Sequence, residues 1–259
     1  MLKKLLIITA ILLSFSANSE TLILNSDNLV TIASQVDSTS VTRAMLEIQK
    51  LNAIETNEPI LLVLNTPGGS VMDGIDFIRF AKTSRRQINT VTIYAASMGF
   101  QIVEALPGKR YMAQAGILMS HRAAVGGVNG QYPGELNSRV AFFGDISEDL
   151  DKGVAARAGL SLKEYRDLIH DEYYAIPNKA IPAKFADAEV DLSCDVSVSG
   201  THTETFDSLF GPIDAVLSNC PLITGVISAG FKKPSESNKN EDALQTYLLE
   251  NKKINVRSL

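Results

Sequence analysis

Two kinds of apolar segment alternate along the chain. Continuous apolar runs such as Pro59–Leu64 predict strands that are buried on both faces of a sheet. Apolar residues at helical spacing, such as Val41, Met45, Ile48 and Leu51, predict helices. In chain order the pattern predicts a strand and turn over 21–32, a helix over Ser38–Leu51, the strand Pro59–Leu64, a helix over Val71–Lys82, and strands over Thr90–Tyr94 and Gly116–Met119. This alternation indicates an α/β protein with a mainly parallel sheet and flanking helices.

The second half of the chain predicts a loop and two helices. Turn residues fill 126–134, which predicts a loop. One amphipathic helix is expected over Glu135–Ala158, with an apolar stripe of Leu136, Val140, Phe143, Leu150 and Val154. We expect the acidic residues of its other face to be solvated: Asp145, Glu148, Asp149 and Asp151. Ser161 and Glu164 form a capping-box pattern that opens another helix.

The N-terminus has the pattern of a secretory signal peptide. Lys3 and Lys4 precede the apolar stretch Leu5–Phe15, and the small residues Ala17 and Ser19 stand at the positions that a cleavage site requires. The alternatives are a core element that starts at residue 1 and an uncleaved anchor, which would be short for a bilayer. The pattern predicts a signal peptide over 1–19 and an exported protein, periplasmic or extracellular.

Net charge and cysteine content bear on nucleic-acid binding, on disulfide formation and on metal binding. The 259 residues carry a net charge of −5, which argues against nucleic acid as a partner. In an oxidising compartment the two cysteines, Cys194 and Cys220, predict a disulfide, with two buried thiols as the alternative. Two cysteines without clustered histidines are too few for a structural zinc site, so no metal is expected.

Three short segments contain candidate catalytic residues. Asn65–Val71 (NTPGGSV) lies between a strand and a helix, where its glycine amides can point into a cleft; an ordinary tight turn is the alternative. Ser97 lies in Ala95–Gly99 (AASMG), which is typical of a nucleophile elbow or of a helix N-cap. His121 follows an apolar strand and is either a general base or a core histidine.

Together, N-T-P-G-G-S-V, A-S-M-G and M-S-H resemble the proteolytic subunit of Clp protease, a family that shares its fold with the signal-peptide peptidases. The resemblance runs from Leu22 to Asp187 and implies the Clp/crotonase fold, a ββα superhelix, and serine peptidase activity without a cofactor. It implies Ser97 as nucleophile and His121 as general base. It also implies an oxyanion hole formed by the amides of Gly68 and Met98, with Gly69 and Ser70 binding substrate.

The acid of the implied triad has two candidates. Counting from Ser161 or from Asp187 places Glu172, followed by Tyr174, at the family's aspartate position. Asp171 has the expected residue type but requires a shift of one residue. Both side chains could instead be solvent-exposed charges at a helix end.

The resemblance and the predicted export together suggest four segments: the signal peptide 1–19, a peptidase domain 20–191, a disulfide-containing extension 192–230, and a polar linker and tail 231–259. The chain contains no phosphate-binding G-x-x-x-x-G-K-[ST] motif, so it encodes no ATPase. We expect an enzyme that hydrolyses peptides or unfolded segments without ATP. We also expect a homo-oligomer joined through the apolar stripe of the helix over Glu135–Ala158; the alternative is that this stripe packs on the subunit's own core. The rival functions are a catalytically silent scaffold or binding protein and an acyl-CoA enzyme of the crotonase type.

Overall fold

The structure, a computed structural model, describes residues 20–124 and 129–232. The predicted signal peptide, the tail beyond residue 232 and part of the predicted loop over 126–134 lie outside these ranges. The chain divides into two compact units, 1–198 and 199–259. Each unit is described by itself.

Strands and helices alternate through the first unit, as the apolar pattern predicts. The short strand β6 and the strand β7 were not predicted, and β4 and β5 are longer than predicted. The elements are β1 (Glu20–Leu24), β2 (Leu29–Ile32), α1 (Ser38–Asn52), β3 (Ile60–Thr66), α2 (Val71–Ala81), β4 (Ile88–Ala96), α3 (Met98–Ala105), β5 (Arg110–Ser120), α4 (Gly134–Ala158), α5 (Leu162–Leu168), β6 (Tyr173–Ala175), α6 (Pro177–Ala180) and β7 (Ala188–Cys194).

Within the described ranges these strands form one seven-stranded sheet in the order β1-β7-β5-β4-β3-β2, with β6 on β5. All the pairings are parallel except that of β5 with β6. A mainly parallel α/β sheet with flanking helices is therefore confirmed. Because neighbouring parallel strands run in the same direction, β3, β4 and β5 bring the loops that follow them to one edge of the sheet.

The sheet packs on both faces, and β3 shows how. Leu62 and Leu64 belong to the larger apolar cluster, while Leu61 and Val63 belong to a smaller cluster. The alternation follows from the two-residue period of a strand, whose successive side chains point to opposite faces. The larger cluster also holds Phe77, Phe100, Tyr165 and Phe185, so it contains α2, α3 and α5.

The apolar stripe of α4 lies partly in the core and partly on the surface. Val154 is buried in the larger cluster, whereas Val140 is 56% exposed. The expectation that Asp151 is solvated is wrong: the residue is only 8% exposed. Burial is tolerated because Arg166 on α5 donates a hydrogen bond of 3.0 Å to the Asp151 carboxylate.

A buried ion-pair network joins α3, β5 and the start of β7. Arg110 donates to Glu104 at 2.7 Å and to Asp187 at 2.7 Å. Desolvation raises the pKa of Glu104 to about 7, against the attraction of Arg110. Asp187 is less buried, and the hydrogen bonds from Arg110 lower its pKa despite the opposing effect of desolvation.

The second unit is an antiparallel sheet in the order β10-β9-β8, with the strands Thr201–Phe206 (β8), Ile213–Ser218 (β9) and Ser228–Phe231 (β10). Its buried residues within the described part are Ala215 and Cys220. Cys194 and Cys220 are both disulfide-bonded. Within the described ranges, no helix combines the length and the apolar character that a bilayer span requires.

Candidate active site

Ser97 lies on the sharp turn between β4 and α3. Its backbone has φ 54° and ψ −117°, a conformation that non-glycine residues rarely adopt. Its N–H donates to the carbonyl of Met119 on β5 at 2.9 Å. The Ser97 side chain makes no capping hydrogen bond to α3. The geometry is therefore that of a nucleophile elbow and not that of a helix N-cap.

His121 lies next to Ser97 because their strands are neighbours. Ala96 at the end of β4 pairs with Met119 near the end of β5. Ser97 and His121, which follow these strands, therefore lie at the same edge of the sheet. The His121 Nε2 atom lies 2.7 Å from the Ser97 Oγ atom, a hydrogen-bond distance. The structure thus brings together the nucleophile and the general base that the motifs suggested.

Gly68 packs against the Ser97 turn so closely that a side chain has no space there. A Cβ atom at Gly68 would lie 2.6 Å from the carbonyl oxygen of Ala96 and from Ser97 Cβ, and the Gly68 φ is +90°. The Gly68 amide donates to Thr66 Oγ1 at 3.1 Å, and the Met98 amide is the first of α3. The two predicted oxyanion donors therefore flank Ser97.

Gly69 and Ser70 are held by the backbone of Val36. Gly69 forms a parallel bridge with Val36, and the Ser70 N–H donates to the Val36 carbonyl at 2.8 Å. A Cβ atom at Gly69 would lie 2.3 Å from that same carbonyl oxygen. The Ser70 hydroxyl accepts from the amide of Asp73 and so caps α2.

The strand register places the two candidate acids, Glu172 and Asp171, near His121. Neither of them, in the described part of the chain, forms a hydrogen bond with it. Ser120 pairs with Tyr173 at the end of the antiparallel β5–β6 ladder. One position beyond that end, His121 and Glu172 are therefore opposite each other. The Glu172 carboxylate accepts from the Tyr174 hydroxyl at 3.1 Å, and the Asp171 carboxylate lies 2.6 Å from His170 Nδ1. Within the described ranges, neither carboxylate accepts a hydrogen bond from His121.

Tyr165 supports the strand end that carries His121. Its hydroxyl lies 2.7 Å from Ser120 Oγ, and both side chains are buried. Desolvation raises the pKa of Tyr165, so the phenol stays protonated. The contact fixes the residue before His121 to α5.

A cavity opens beside the Ser97 and His121 side chains. Helix α4 supplies three residues to its lining, Ser147, Leu150 and Asp151. The remaining lining comes from the segments around the nucleophile and the base: Val71, Met98, Gln101 and Ala123. These α4 residues could not be assigned to the site from the sequence, because no local pattern shows which helix packs near Ser97. No group of side chains in the described ranges is arranged to hold a metal ion.

Comparison with known proteins identifies the family of the chain. The family model of Clp protease matches residues 16–188. The chain is 29% identical over 157 residues to the ATP-dependent Clp protease proteolytic subunit 1 of Prochlorococcus marinus (strain NATL2A), which covers 60% of this chain and 79% of that protein. It is 26% identical over 167 residues to proteolytic subunit 2 of Synechococcus sp. (strain CC9605), which covers 64% of this chain and 84% of that protein.

A more distant relative is the ATP-dependent Clp protease proteolytic subunit of Streptococcus agalactiae serotype V, 24% identical over 164 residues. That alignment covers 62% of this chain and 84% of the relative. Because the family model spans well over half of the sequence, the chain belongs to the Clp protease family and is a serine-type peptidase.

Proposed function

We propose that the protein is an exported endopeptidase that hydrolyses peptides or unfolded protein segments without ATP, through Ser97, His121 and a carboxylate. The observation that carries this proposal is the 2.7 Å distance between His121 Nε2 and Ser97 Oγ on a strained turn. A hydroxyl in direct contact with an imidazole is an activated nucleophile.

The proposed reaction follows from that contact. His121 Nε2 takes the proton of Ser97 as Oγ attacks the peptide carbonyl carbon, and the carbonyl oxygen becomes an oxyanion. The Gly68 and Met98 amides donate to that oxyanion, and the Gly68 amide leaves Thr66 Oγ1 to do so. His121 then protonates the departing amine, which breaks the C–N bond, and a water molecule activated by His121 releases the acyl group from Ser97.

Export is supported by the N-terminal sequence pattern and by the disulfide. A basic pair, a short apolar stretch and small residues precede Glu20 in the order of a signal peptide. A disulfide between Cys194 and Cys220 persists in oxidising compartments. The relatives are named ATP-dependent, but an exported chain is separated from cytoplasmic ATP, so we propose action on substrates that are already unfolded.

A homo-oligomer is part of the proposal. The N-terminal half of α4 presents Val140 to solvent, 56% exposed, and the half-buried Phe143 lies about one turn further along the same face. Apolar side chains that remain exposed together on one helix are typical of a surface that packs on another copy. The buried C-terminal half of α4 anchors that surface to the subunit.

One observation favours the rival function of a silent scaffold. No carboxylate in the described ranges orients His121 through a hydrogen bond. A dyad without an orienting acid loses much of its catalytic power.

A serine-reactive fluorophosphonate tests the proposed function directly. We expect wild-type protein and a His202→Ala variant to be labelled and to hydrolyse unfolded peptides, because His202 is an exposed histidine on β8 that contacts no candidate site residue within the described ranges. Ser97→Ala and His121→Ala should each lower kcat by about 10⁴- to 10⁶-fold with the fold retained. Hydrolysis at the wild-type rate by Ser97→Ala would overturn the assignment, and folded wild-type protein that neither labels nor cleaves would support the scaffold.

A further inference from the structure

Asp151 is the buried polar residue of the cavity beside Ser97. It is 8% exposed, whereas the other polar lining residues, Ser97, Gln101, His121 and Ser147, are half-buried. A carboxylate removed from water at this position needs hydrogen-bond donors. Neither oxyanion stabilisation nor the proton transfers of the proposed reaction use it.

The ion pair of Asp151 with Arg166 leaves one carboxylate oxygen, Oδ1, available to accept a hydrogen bond from a ligand. Arg166 Nε donates to Oδ2 at 3.0 Å, and within the described ranges no hydrogen bond reaches Oδ1. Arg166 also lies 3.5 Å from Glu148, so one guanidinium serves two carboxylates and the three charges sum to −1. Lys152 pairs with Glu148 at 2.8 Å on the exposed side of α4. Arg122 acts on Asp151 only through space, from an exposed position where solvent screens its charge.

The walls of the cavity suit a long side chain with a polar end. Val71, Met98 and Leu150 are apolar and line the same cavity as Ser97 and Asp151. The methylene groups of lysine or arginine bury readily against such walls while the charged end reaches a carboxylate. The Asp151 carboxylate in the same cavity disfavours acidic side chains, which it repels, and aliphatic side chains, which cannot donate a hydrogen bond to it.

We propose that Asp151 is a specificity-determining residue, which makes the enzyme prefer to cleave after lysine or arginine. The side chain of the residue whose carbonyl carbon Ser97 attacks enters the cavity, and its ammonium or guanidinium group donates to Asp151 Oδ1. The bond is charge-assisted, and it is sheltered from water because Asp151 is buried. This inference rests on the proposed peptidase function.

The test uses peptides that differ only at the residue before the cleaved bond, with Lys, Arg, Gln, Leu or Glu at that position. Wild-type kcat/KM should be highest for Lys and Arg and lowest for Glu. Asp151→Asn should lower the ratio of kcat/KM for Lys over Leu by about 10- to 100-fold. A ratio measured on one preparation does not depend on the fraction of folded enzyme, so partial misfolding of the variant does not obscure the result.

Glu148→Gln is the matched control. Glu148 lies on the same helix and contacts the same arginine, but it does not line the cavity. Its Lys-over-Leu ratio should equal that of the wild type. A wild-type preference for Leu over Lys, or an unchanged ratio in Asp151→Asn, would overturn the proposal.

A binding measurement separates this inference from the proposed function. Peptides that end in Lys or in Leu mimic the acyl-side product, and calorimetry on Ser97→Ala measures their Kd without turnover. The role of Asp151 is supported if Ser97→Ala binds the Lys peptide more tightly than the Leu peptide and the double variant Ser97→Ala/Asp151→Asn does not. This result supports the role even if the wild type is inactive. Equal binding of the two peptides overturns that role even if the wild type cleaves both.

Discussion

Ser120 on β5 pairs with Tyr173 on the antiparallel β6, so His121 and Glu172 leave the sheet at the same point. Glu172 has a left-handed backbone with φ 68°, which a non-glycine residue adopts at an energetic cost. Asp171, one residue earlier, has a side chain that is 91% exposed and bonds to His170. The register therefore favours Glu172 over Asp171 as the candidate acid of the triad.

Substitution of each acid by its amide tests this assignment. Glu172→Gln should lower kcat/KM by about 10²- to 10⁴-fold, because the amide stabilises the wrong imidazole tautomer. Asp171→Asn is the matched control and should stay within a few-fold of wild type. The reverse result would assign the role to Asp171, and full activity of both variants would mean that neither carboxylate completes a triad.

Gly68→Ala should lower activity strongly while the protein remains folded. The added Cβ would meet the Ala96 carbonyl oxygen and Ser97 Cβ at 2.6 Å, at a φ of +90°. The loop must shift, which moves an oxyanion donor, and loss of one such donor costs about 10²- to 10³-fold in kcat. Steady-state kinetics and fluorophosphonate labelling measure the effect.

Gly144→Ala on α4 is the control for this substitution. No atom lies within 4 Å of a Cβ at Gly144, and alanine is the better helix former by roughly 0.5–1 kcal/mol. Its Tm should be unchanged or raised and its activity retained. Wild-type activity in Gly68→Ala would exclude its amide from the oxyanion hole.

Glu104 should make stability depend on pH. Its pKa is about 7 in the folded protein because of desolvation, above the ordinary value of 4.5. Between these values the folded state keeps a proton that the unfolded state releases, so stability falls as pH rises from about 4.5 to 7. The loss approaches about 3 kcal/mol above pH 7.

Urea unfolding at pH 5 and pH 8 measures this loss. Glu104→Gln should flatten the difference between the two pH values, whereas Glu47→Gln, a surface control paired with Lys50, should retain the wild-type difference. Equal pH dependence of the wild type and Glu104→Gln would show that Glu104 stays ionised beside Arg110.

Val140→Asp should dissociate the proposed oligomer without unfolding the subunit. Val140 is 56% exposed, so a carboxylate there is solvated in a monomer but costly inside an interface. Light scattering at micromolar concentration and the Tm give mass and stability. Val154→Asp is the contrast, because Val154 is 2% exposed in the core and its substitution should unfold the protein. A monomeric wild type would refute the assembly.

The disulfide should stabilise the folded protein. For a loop of the size that Cys194 and Cys220 close, the chain-entropy model predicts about 3 kcal/mol. Cys194→Ser and Cys220→Ser should each lower the free energy of unfolding by a similar amount. Mass spectrometry without reductant detects the bond in wild type, and two thiols that alkylate freely in the native protein would contradict it.

Local patterns predicted the elements whose causes are local. The apolar run of β3 and the capping box at Ser161 are both observed, the latter with Ser161 and Glu164 bonding reciprocally. The pairing of Ser97 with His121 was implied by the family resemblance of the motifs, and the two residues are in contact because their neighbouring parallel strands end at one edge. These features depend on residues within a few positions of each other or on the direction of the chain.

Features that depend on distant packing were not predictable. Asp151 looks like a solvated helix charge in sequence, and only Arg166, from another helix, accounts for its burial. The three-residue strand β6 is too short for a recognisable period, yet its pairing places Glu172 near His121. The sheet of β8, β9 and β10 has mostly exposed side chains, so its sequence lacks the alternation that marks a half-buried strand.

The hydrogen bond from the Ser97 amide to the Met119 carbonyl has a consequence for latency. It ties the nucleophile's turn to the strand that carries the base, so the dyad is assembled within one subunit's sheet. We therefore expect a separated subunit to retain its Ser97–His121 contact, so that any latency of the peptidase would arise elsewhere in the site.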